Sequence, residues 1–521
     1  MRTDNGDSIS VWMAKAKELP PCPLQADASC DVCIVGAGIT GLTIAYLLGE
    51  EGKSVIVLDD GQVGSGESGR TTAHFVTALD DRYIDLERMH GRENVRLIAE
   101  SHRAAIDKVE RIVKKENIRC GFSRLPGYLF LSPGEDEQLL KDEWGAAHRA
   151  GLRDVELMKC VSDVPFDTGS ALRFPQQAQL HILHYLHGLT RNIEQGGGKV
   201  HTFTHAQKIQ GGKEAQVTTD TGHSVRASSV VVATNTPVND RVTMHTKQAA
   251  YRTYVLAFEI PKGSVPQILL WDTGPYSKQD GSVPYHYIRI EEEEEDDLLI
   301  VGGEDHKTGQ ADDMPLRLHR LEVWTRSHFP MAQKIRYQWS GQVMEPIDGI
   351  AFIGRNPKDK ENVFIATGDS GNGMTHGTIA GILLRDLILG RSNPWEKLYD
   401  PARKPLRAFK QFALENLNVA KEYLCLLQPG EKAPKHMPRE SGQVIQQGTK
   451  KIALYCDAMG KEHAFSAICP HLGCVVGWNA FEKTWDCPCH GSRFARDGHV
   501  VNGPANTGLA PAKVPPNPRP R

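Results

Sequence analysis

Four side chains near the C-terminus constrain this chain most: Cys469, His471, Cys487 and His490. They alternate, as Cys-x-His and then Cys-x-x-His, so each Cys–His pair falls on one short loop and two loops can clamp a centre from opposite sides. Two thiolates and two imidazoles suit a [2Fe–2S] cluster in which the histidines bind one iron and the cysteines the other. Neutral imidazole in place of thiolate raises the reduction potential, into a range of roughly −150 to +300 mV. Zinc also takes two cysteines and two histidines, but its fingers usually pair like ligands. Of the eleven cysteines, the rest outside this stretch are scattered. A tight cluster in a large chain favours a metal site over a disulfide scaffold.

The segments Cys469-Pro-His-Leu-Gly-Cys474 and Cys487-Pro-Cys-His-Gly-Ser-Arg-Phe494 resemble the two boxes of the Rieske proteins of cytochrome bc-type complexes. The resemblance implies cluster ligands at Cys469, His471, Cys487 and His490, and a disulfide between Cys474 and Cys489 that ties the loops together. Gly503-Pro504-Ala505 resembles the proline loop that covers the cluster. High-potential members carry a serine and a tyrosine that donate to sulfur. Ser492 fits the serine, but Phe494 stands in the tyrosine position and cannot donate. Hydrogen bonds to sulfur stabilise the more negative reduced cluster, so a potential below that of the bc-type proteins is expected.

A second motif opens the chain. The apolar strand Asp31–Val35 runs into Gly36-Ala37-Gly38-Ile39-Thr40-Gly41, then an apolar helix over Leu42–Leu48, then a strand Ser54–Leu58 ending at Asp59. The first glycine makes a tight turn, the second lets backbone approach a pyrophosphate, and the third permits close helix–strand packing. The helix N-terminus offers N–H donors to the phosphates. Asp59 lies near the roughly 20-residue distance at which a carboxylate reaches the ribose hydroxyls. Together these indicate a dinucleotide, without separating FAD from NAD.

The loop Gly64–Thr72, including Arg70, Thr71 and Thr72, resembles the loop after the second strand in the D-amino-acid oxidase and sarcosine oxidase family. Val232-Ala233-Thr234 resembles that family's mid-chain Ala-Thr-Gly strand end, with Asn235 in place of glycine. Ala366–Thr375, containing Gly368, Asp369, Gly371, Asn372, Gly373, Met374 and Thr375, resembles its C-terminal flavin motif. The resemblance spans residues 29 to 392 and implies FAD. In combination with the cluster motif, the chain resembles a group of bacterial FAD-dependent oxidoreductases with a Rieske domain.

The expected organisation is an N-terminal extension at 1–28, an FAD-dependent oxidoreductase region at 29–428 with interleaved nucleotide and substrate parts, a Pro/Gly-rich charged linker at 429–442, and a Rieske domain at 443–521. The fold class is an α/β (α+β) Rossmann-like FAD domain with an antiparallel-sheet substrate domain, followed by a small all-β domain. Helices are expected over Glu93–Lys115, Gly377–Leu389 and from Pro401 to Leu427, a hairpin over Val217–Ala233, and an extended Pro-rich tail from Pro511 to Arg521. The acidic run Glu291–Asp297 reads as a solvated hairpin tip.

Candidate substrate residues are Arg289, whose fork suits a carboxylate, with Tyr287, Tyr285 and His286 on the same strand. His74 is a further candidate, near the flavin and conceivable as a covalent attachment point. His181, His184 and His187 read as structural, and Cys30 and Cys33 as packing residues of the first strand.

Net charge is −3 and charged residues are 24% of the chain, so no basic field points to nucleic acid or to an anionic membrane. No apolar run approaches the roughly 18 residues of a membrane span, and the N-terminus lacks a secretory h-region. A cytoplasmic setting is expected. The expected function is dehydrogenation of an amine or amino-acid-like molecule by hydride transfer to FAD, with electrons passed singly to the cluster and on to an external acceptor. The alternatives are an electron-transfer module fed by another protein and a redox sensor. A Rieske oxygenase is disfavoured, because the flavin motifs occupy the room its mononuclear iron domain would need.

Overall fold

The computed structural model describes residues 6–239, 242–275, 285–404, 406–426, 434 and 436–514. The strand Ala28–Val35 lies at the centre of a mostly parallel sheet, pairing with Val55–Leu58 on one side and Ser224–Val232 on the other. Val363–Thr367 and Phe352–Arg355 extend the sheet beyond Ser224–Val232, and Lys199–His201 extends it beyond Val55–Leu58. Parallel strands covered on both faces read as continuous apolar runs, and Val32 to Val35 and Val55 to Leu58 are buried without alternation.

The helix Ile39–Glu50 packs on the helix Gly373–Ile388. Glycines let these backbones touch: a Cβ on Gly377 would lie 2.8 Å from Thr40 Oγ1, and one on Gly381 would lie 2.4 Å from Thr43 Cγ2. The second of these helices starts at Gly373, ahead of the expected Gly377, because the last flavin-motif residues already form its first turn. Arg92–Lys115 is helical, and Ala215–Thr219 pairs antiparallel with Ser224–Val232, as the sequence patterns predict.

A second, larger sheet stands over the first. Its long strand Gln248–Pro261 pairs antiparallel with both Asp296–Lys307 and Ile335–Pro346. Tyr287–Glu291 and Leu269–Asp272 continue it to Ser123–Phe130 and Ala171–Gln179. The acidic tip between Glu291 and Asp296 is in part neutralised, since Glu293 pairs with Lys15 and Arg336.

The small domain has a three-stranded sheet (Ser441–Gln447, Lys450–Cys456, Glu462–Ser466) and a four-stranded one (Gly477–Asn479, Thr484–Asp486, Arg493–Ala495, Val500–Asn502). Of the expected linker, residues 429–433 and 435 lie outside the described residues, and Ser441 already begins a strand. The tail beyond 514 also lies outside them.

The N-terminal extension holds an element that no sequence pattern announced. Val11–Lys15 is a short helix capped by Ser10 that buries Trp12 completely. The extension then joins the contact between the two halves of the molecule. Glu482 of the small domain accepts from Ser8 N at 3.0 Å and Ser8 Oγ at 2.6 Å. Its carboxylate faces Arg70 and Arg252, and all three side chains are sealed from solvent.

Candidate functional site

A cleft of about 290 Å³ runs along the C-terminal ends of the parallel strands and under the second sheet. Gly36 (φ 111°), Gly38 and Thr40 line one end. A Cβ on Gly36 would lie 2.3 Å from the Ala233 carbonyl, and one on Gly41 would lie 1.8 Å from the Gly36 carbonyl. Only glycine satisfies this strand–turn–helix approach. Asp59 lines the same end, where Oδ2 accepts from Ala37 N. Ala233, Thr234, Arg70, Thr71 and Thr72 follow along the cleft, then Gly368, Asp369, Gly371, Asn372, Gly373 and Met374.

This arrangement fits a bound dinucleotide. Nδ2 of Asn235 is buried and has no hydrogen-bond partner, although Asn235 lines the cleft. Ala37, Gly41 and Thr375 are not among the lining residues. Thr375 turns away, its Oγ1 lying 2.9 Å from Nδ1 of His102. Arg70 presents its stem, while its guanidinium donates to the carbonyls of Gly6, Ser8 and Ser340.

Beyond the flavin motifs the cleft continues between His74, Trp271, Tyr285 and Tyr287. Both ring nitrogens of His74 face protein oxygens, at 2.9 Å from Thr72 Oγ1 and 3.3 Å from the Ile288 carbonyl. Burial, then the charge of Arg289, pushes His74 down to about 3, so its ring is neutral. Arg289 corrects an expectation. It does not line the cleft: its side chain is fully buried, stacks 4.9 Å from Trp12, donates to the carbonyls of Thr72, Ala73 and Leu180, and pairs with Glu291. Tyr287 lines the cleft, but Arg289, two residues along the strand, is taken by the N-terminal helix. His286 is likewise engaged elsewhere, 2.7 Å from Asp272 and stacked on Trp324.

His181 stacks on His184 and meets Trp12 edge-on, and it caps its own helix. Burial pushes it down to about 3. Cys33 is buried in the first strand.

In the small domain, two tight turns carry the four candidate ligands. Cys469 N donates to Cys474 O and Gly473 N to Cys469 O; Cys487 N donates to Ser492 O and Gly491 N to Cys487 O. Cys469, His471, Cys487 and His490 are all buried, and the two imidazoles lie 5.0 Å apart. Burial, then the neighbouring histidines, pushes His490 down to about 3, so the ring is in the neutral form that binds metal. Cys474, Cys487 and Cys489 also lie within 4.8 Å of one another. However, Cys474 and Cys489 form a disulfide, which leaves Cys487 with Cys469 as the free thiols. This donor set fits a mixed Cys/His cluster rather than a three-thiolate site. Ser492 Oγ accepts from Ala505 N at 3.0 Å and lies against Cys469, linking the Gly503–Ala505 loop to a candidate ligand.

The two sites adjoin. Gln342 lines the cleft, and its Nε2 donates to the Gly491 carbonyl at 3.0 Å, one residue from His490. Its backbone N–H donates to Glu67, whose other carboxylate oxygen accepts from Asn502. Val500, Gly503 and Ala505 of the small domain line the cleft directly. His245 of the larger domain lies 4.8 Å from His471 and 6.0 Å from His490, ring to ring. Gln342, Glu482 and His245 carry no motif, and only tertiary folding brings them to the junction.

A flavin cleft under a mixed sheet, joined to a Cys/His cluster pocket, defines a two-cofactor oxidoreductase. The chain belongs to the FAD dependent oxidoreductase family, whose model matches residues 31–387, and it carries a Rieske [2Fe-2S] domain matched over 431–513. Its cofactors are FAD and a [2Fe–2S] cluster. It is 34% identical over 507 residues to a Bacillus subtilis (strain 168) chain named as a Rieske 2Fe-2S iron-sulfur protein, YhfW, with 96% of each chain covered. It is 27% identical to the gamma-glutamylputrescine oxidoreductase of Escherichia coli (strain K12), over 73% of this chain and 89% of that one. Glycine oxidase from Geobacillus kaustophilus shares the fold, with a TM-score of 0.59 at 16% identity, covering 72% of this chain and 99% of that one. Among the described residues no helix is long and apolar enough to cross a membrane.

Proposed function

We propose that this protein dehydrogenates an amine or amino-acid-like substrate at the flavin cleft and passes the electrons within the same chain to the Rieske cluster. From there they leave singly to an external one-electron acceptor, in a cytoplasmic setting. When bound, FAD supplies the two-electron acceptor and the cluster the one-electron one. The substrate carbon loses a hydride and its nitrogen a proton, leaving an imine.

The FAD-binding residues in this reading are Gly36, Gly38, Thr40 and Asp59 at the nucleotide end and Gly368–Met374 at the other; Cys469, His471, Cys487 and His490 hold the cluster. The carrying observation is Gln342, which lines the cleft and bonds the carbonyl next to a cluster ligand. The histidine pair also faces His245 of the flavin domain. The gamma-glutamylputrescine oxidoreductase relative supports a C–H bond next to nitrogen as the point of attack.

A flavin fed by a partner protein would need no deep cavity beyond the isoalloxazine motif. The aromatic-walled extension of the cleft favours a small substrate instead. The test is anaerobic addition of an amine library to protein with measured iron and flavin content. Bleaching of the flavin band followed by the rhombic signal of a reduced Cys/His cluster is the expected result. Chemical reducibility of both centres with no response to any amine overturns the substrate reading.

A further inference from the structure

The aromatic-walled part of the cleft carries carboxylates, and among the described residues that line it no cation is turned toward them. Asp80, Asp305 and Glu345 all line it. Among the described lining residues the one arginine or lysine is Arg70, and its guanidinium is turned to Ser8 and Ser340 behind the loop. Two arginines whose charge reaches these carboxylates, Arg82 at Asp80 and Arg317 at Asp305, are also engaged. Arg82 donates to the carbonyls of Leu79 and Asp272, and Arg317 to those of Glu304 and Asp305 and to the Asp313 carboxylate.

The carboxylates are held close to the flavin motif. A Cβ on Gly371 would lie 1.8 Å from Asp80 Oδ2, so that oxygen rests on the motif's backbone. The same oxygen accepts from Tyr285 OH at 2.8 Å. Glu345 accepts from Ser370 Oγ at 3.0 Å. Oδ1 of Asp305 is buried and has no hydrogen-bond partner. The rings of Trp271, Tyr285 and Tyr287 line the same cleft, the two tyrosines 5.6 Å apart.

Ionising half-buried carboxylates that share one cleft, with the neighbouring arginines bonded to backbone carbonyls, is costly. Burial, together with neighbouring carboxylates, pushes Asp305 up to about 7 and Glu345 well above the ordinary range. An ammonium group entering the cleft would relieve that cost, and aromatic faces attract it further. A substrate carboxylate would meet acidic side chains, and no arginine fork among the described lining residues.

We propose that this cleft selects an amine bearing a second cationic group, a diamine or polyamine with no free carboxylate at its far end. The proposal rests on the amine-oxidation reading above and narrows it. It also explains why the arginine of the Tyr287 strand is spent on packing: no carboxylate has to be gripped.

The test uses the FAD-loaded full chain and three probes that share one four-carbon chain: putrescine, n-butylamine and γ-aminobutyrate. Anaerobic flavin reduction is followed optically, and the limiting rate is separated from the apparent Kd. Putrescine is expected to reduce the flavin at least about tenfold more efficiently than n-butylamine, with most of the gain in Kd, and γ-aminobutyrate least, as one charge-assisted contact predicts. Asp305→Asn lowers the putrescine-to-butylamine ratio about tenfold, and Glu345→Gln provides the same readout if the first variant does not fold. Equal efficiency for all three probes overturns the cation site and leaves amine oxidation standing. Putrescine that perturbs the flavin spectrum without reducing it overturns amine oxidation and leaves the cation site standing. No response to any probe overturns both.

Discussion

Glu482 of the Rieske domain lies 3.3 Å from Arg70 of the flavin loop, and neither side chain reaches solvent. Burial alone would raise the carboxyl, but Arg70, Arg252 and Arg493 outweigh it and hold Glu482 down to about 2. Glu482→Gln leaves buried guanidinium groups uncompensated, so a destabilisation of roughly 3–5 kcal/mol is expected. Calorimetry of the holoprotein reads the loss. Because the folded-state value is depressed, the stabilisation is full above the ordinary glutamate range and is lost as pH falls toward about 2. The variant therefore differs most from the parent near neutrality and least in acid. A constant difference across that range contradicts the account.

Gln342 tests the junction itself. Gln342→Leu keeps bulk but removes the donor to Gly491, a contact worth about 1 kcal/mol. Cluster reduction after flavin reduction is expected to slow several-fold in stopped-flow traces, while the cluster signal and its potential stay as in the parent. An unchanged rate assigns the electron route elsewhere.

Phe494 is fully buried in the core that also holds Cys469 and Cys487. Phe494→Tyr adds a donor in the position that high-potential Rieske proteins use. One hydrogen bond of about 1 kcal/mol corresponds to a rise of roughly 40 mV for a one-electron couple. A redox titration followed by electron paramagnetic resonance checks the direction; no rise would show that the hydroxyl does not reach sulfur.

Asp305 predicts a pH signature. Burial pushes it up to about 7, with Thr253 and Arg317 opposing and Asp80 and Glu304 reinforcing; Tyr285 and Tyr287 also face it. Its neutral form stabilises the fold fully below the ordinary aspartate range, and that stabilisation is lost as pH rises through about 7. Asp305→Asn should therefore gain on the parent between acid and mildly alkaline pH, by up to a few kcal/mol. Parallel melting profiles across that range would refute it.

His74 engages both ring nitrogens with protein oxygens, so FAD is expected to be held without a covalent bond to it. Acid precipitation should leave all flavin in the supernatant. Flavin retained in the pellet, and lost from it in His74→Ala, would reverse this.

The parts legible in the sequence were those that local chemistry dictates. Gly36 and Gly41 are fixed by close backbone approach, and the alternating Cys/His residues fall on two short turns. Arg289 was misread because strand periodicity gives a face but not how far along that face the cleft extends. Two residues beyond Tyr287, Arg289 is covered by the helix of Trp12, which belongs to an extension whose sequence carries no motif. Gln342 and Glu482 were invisible for a related reason. Each is an ordinary polar residue until long-range pairing sets it against a partner far away in the chain.

The most direct test of intramolecular transfer is the rate of cluster reduction, after anaerobic mixing with a reducing amine, at several protein concentrations. A first-order rate independent of concentration is predicted. A rate that rises in proportion to protein concentration, or a cluster that stays oxidised beside fully reduced flavin, would contradict the account.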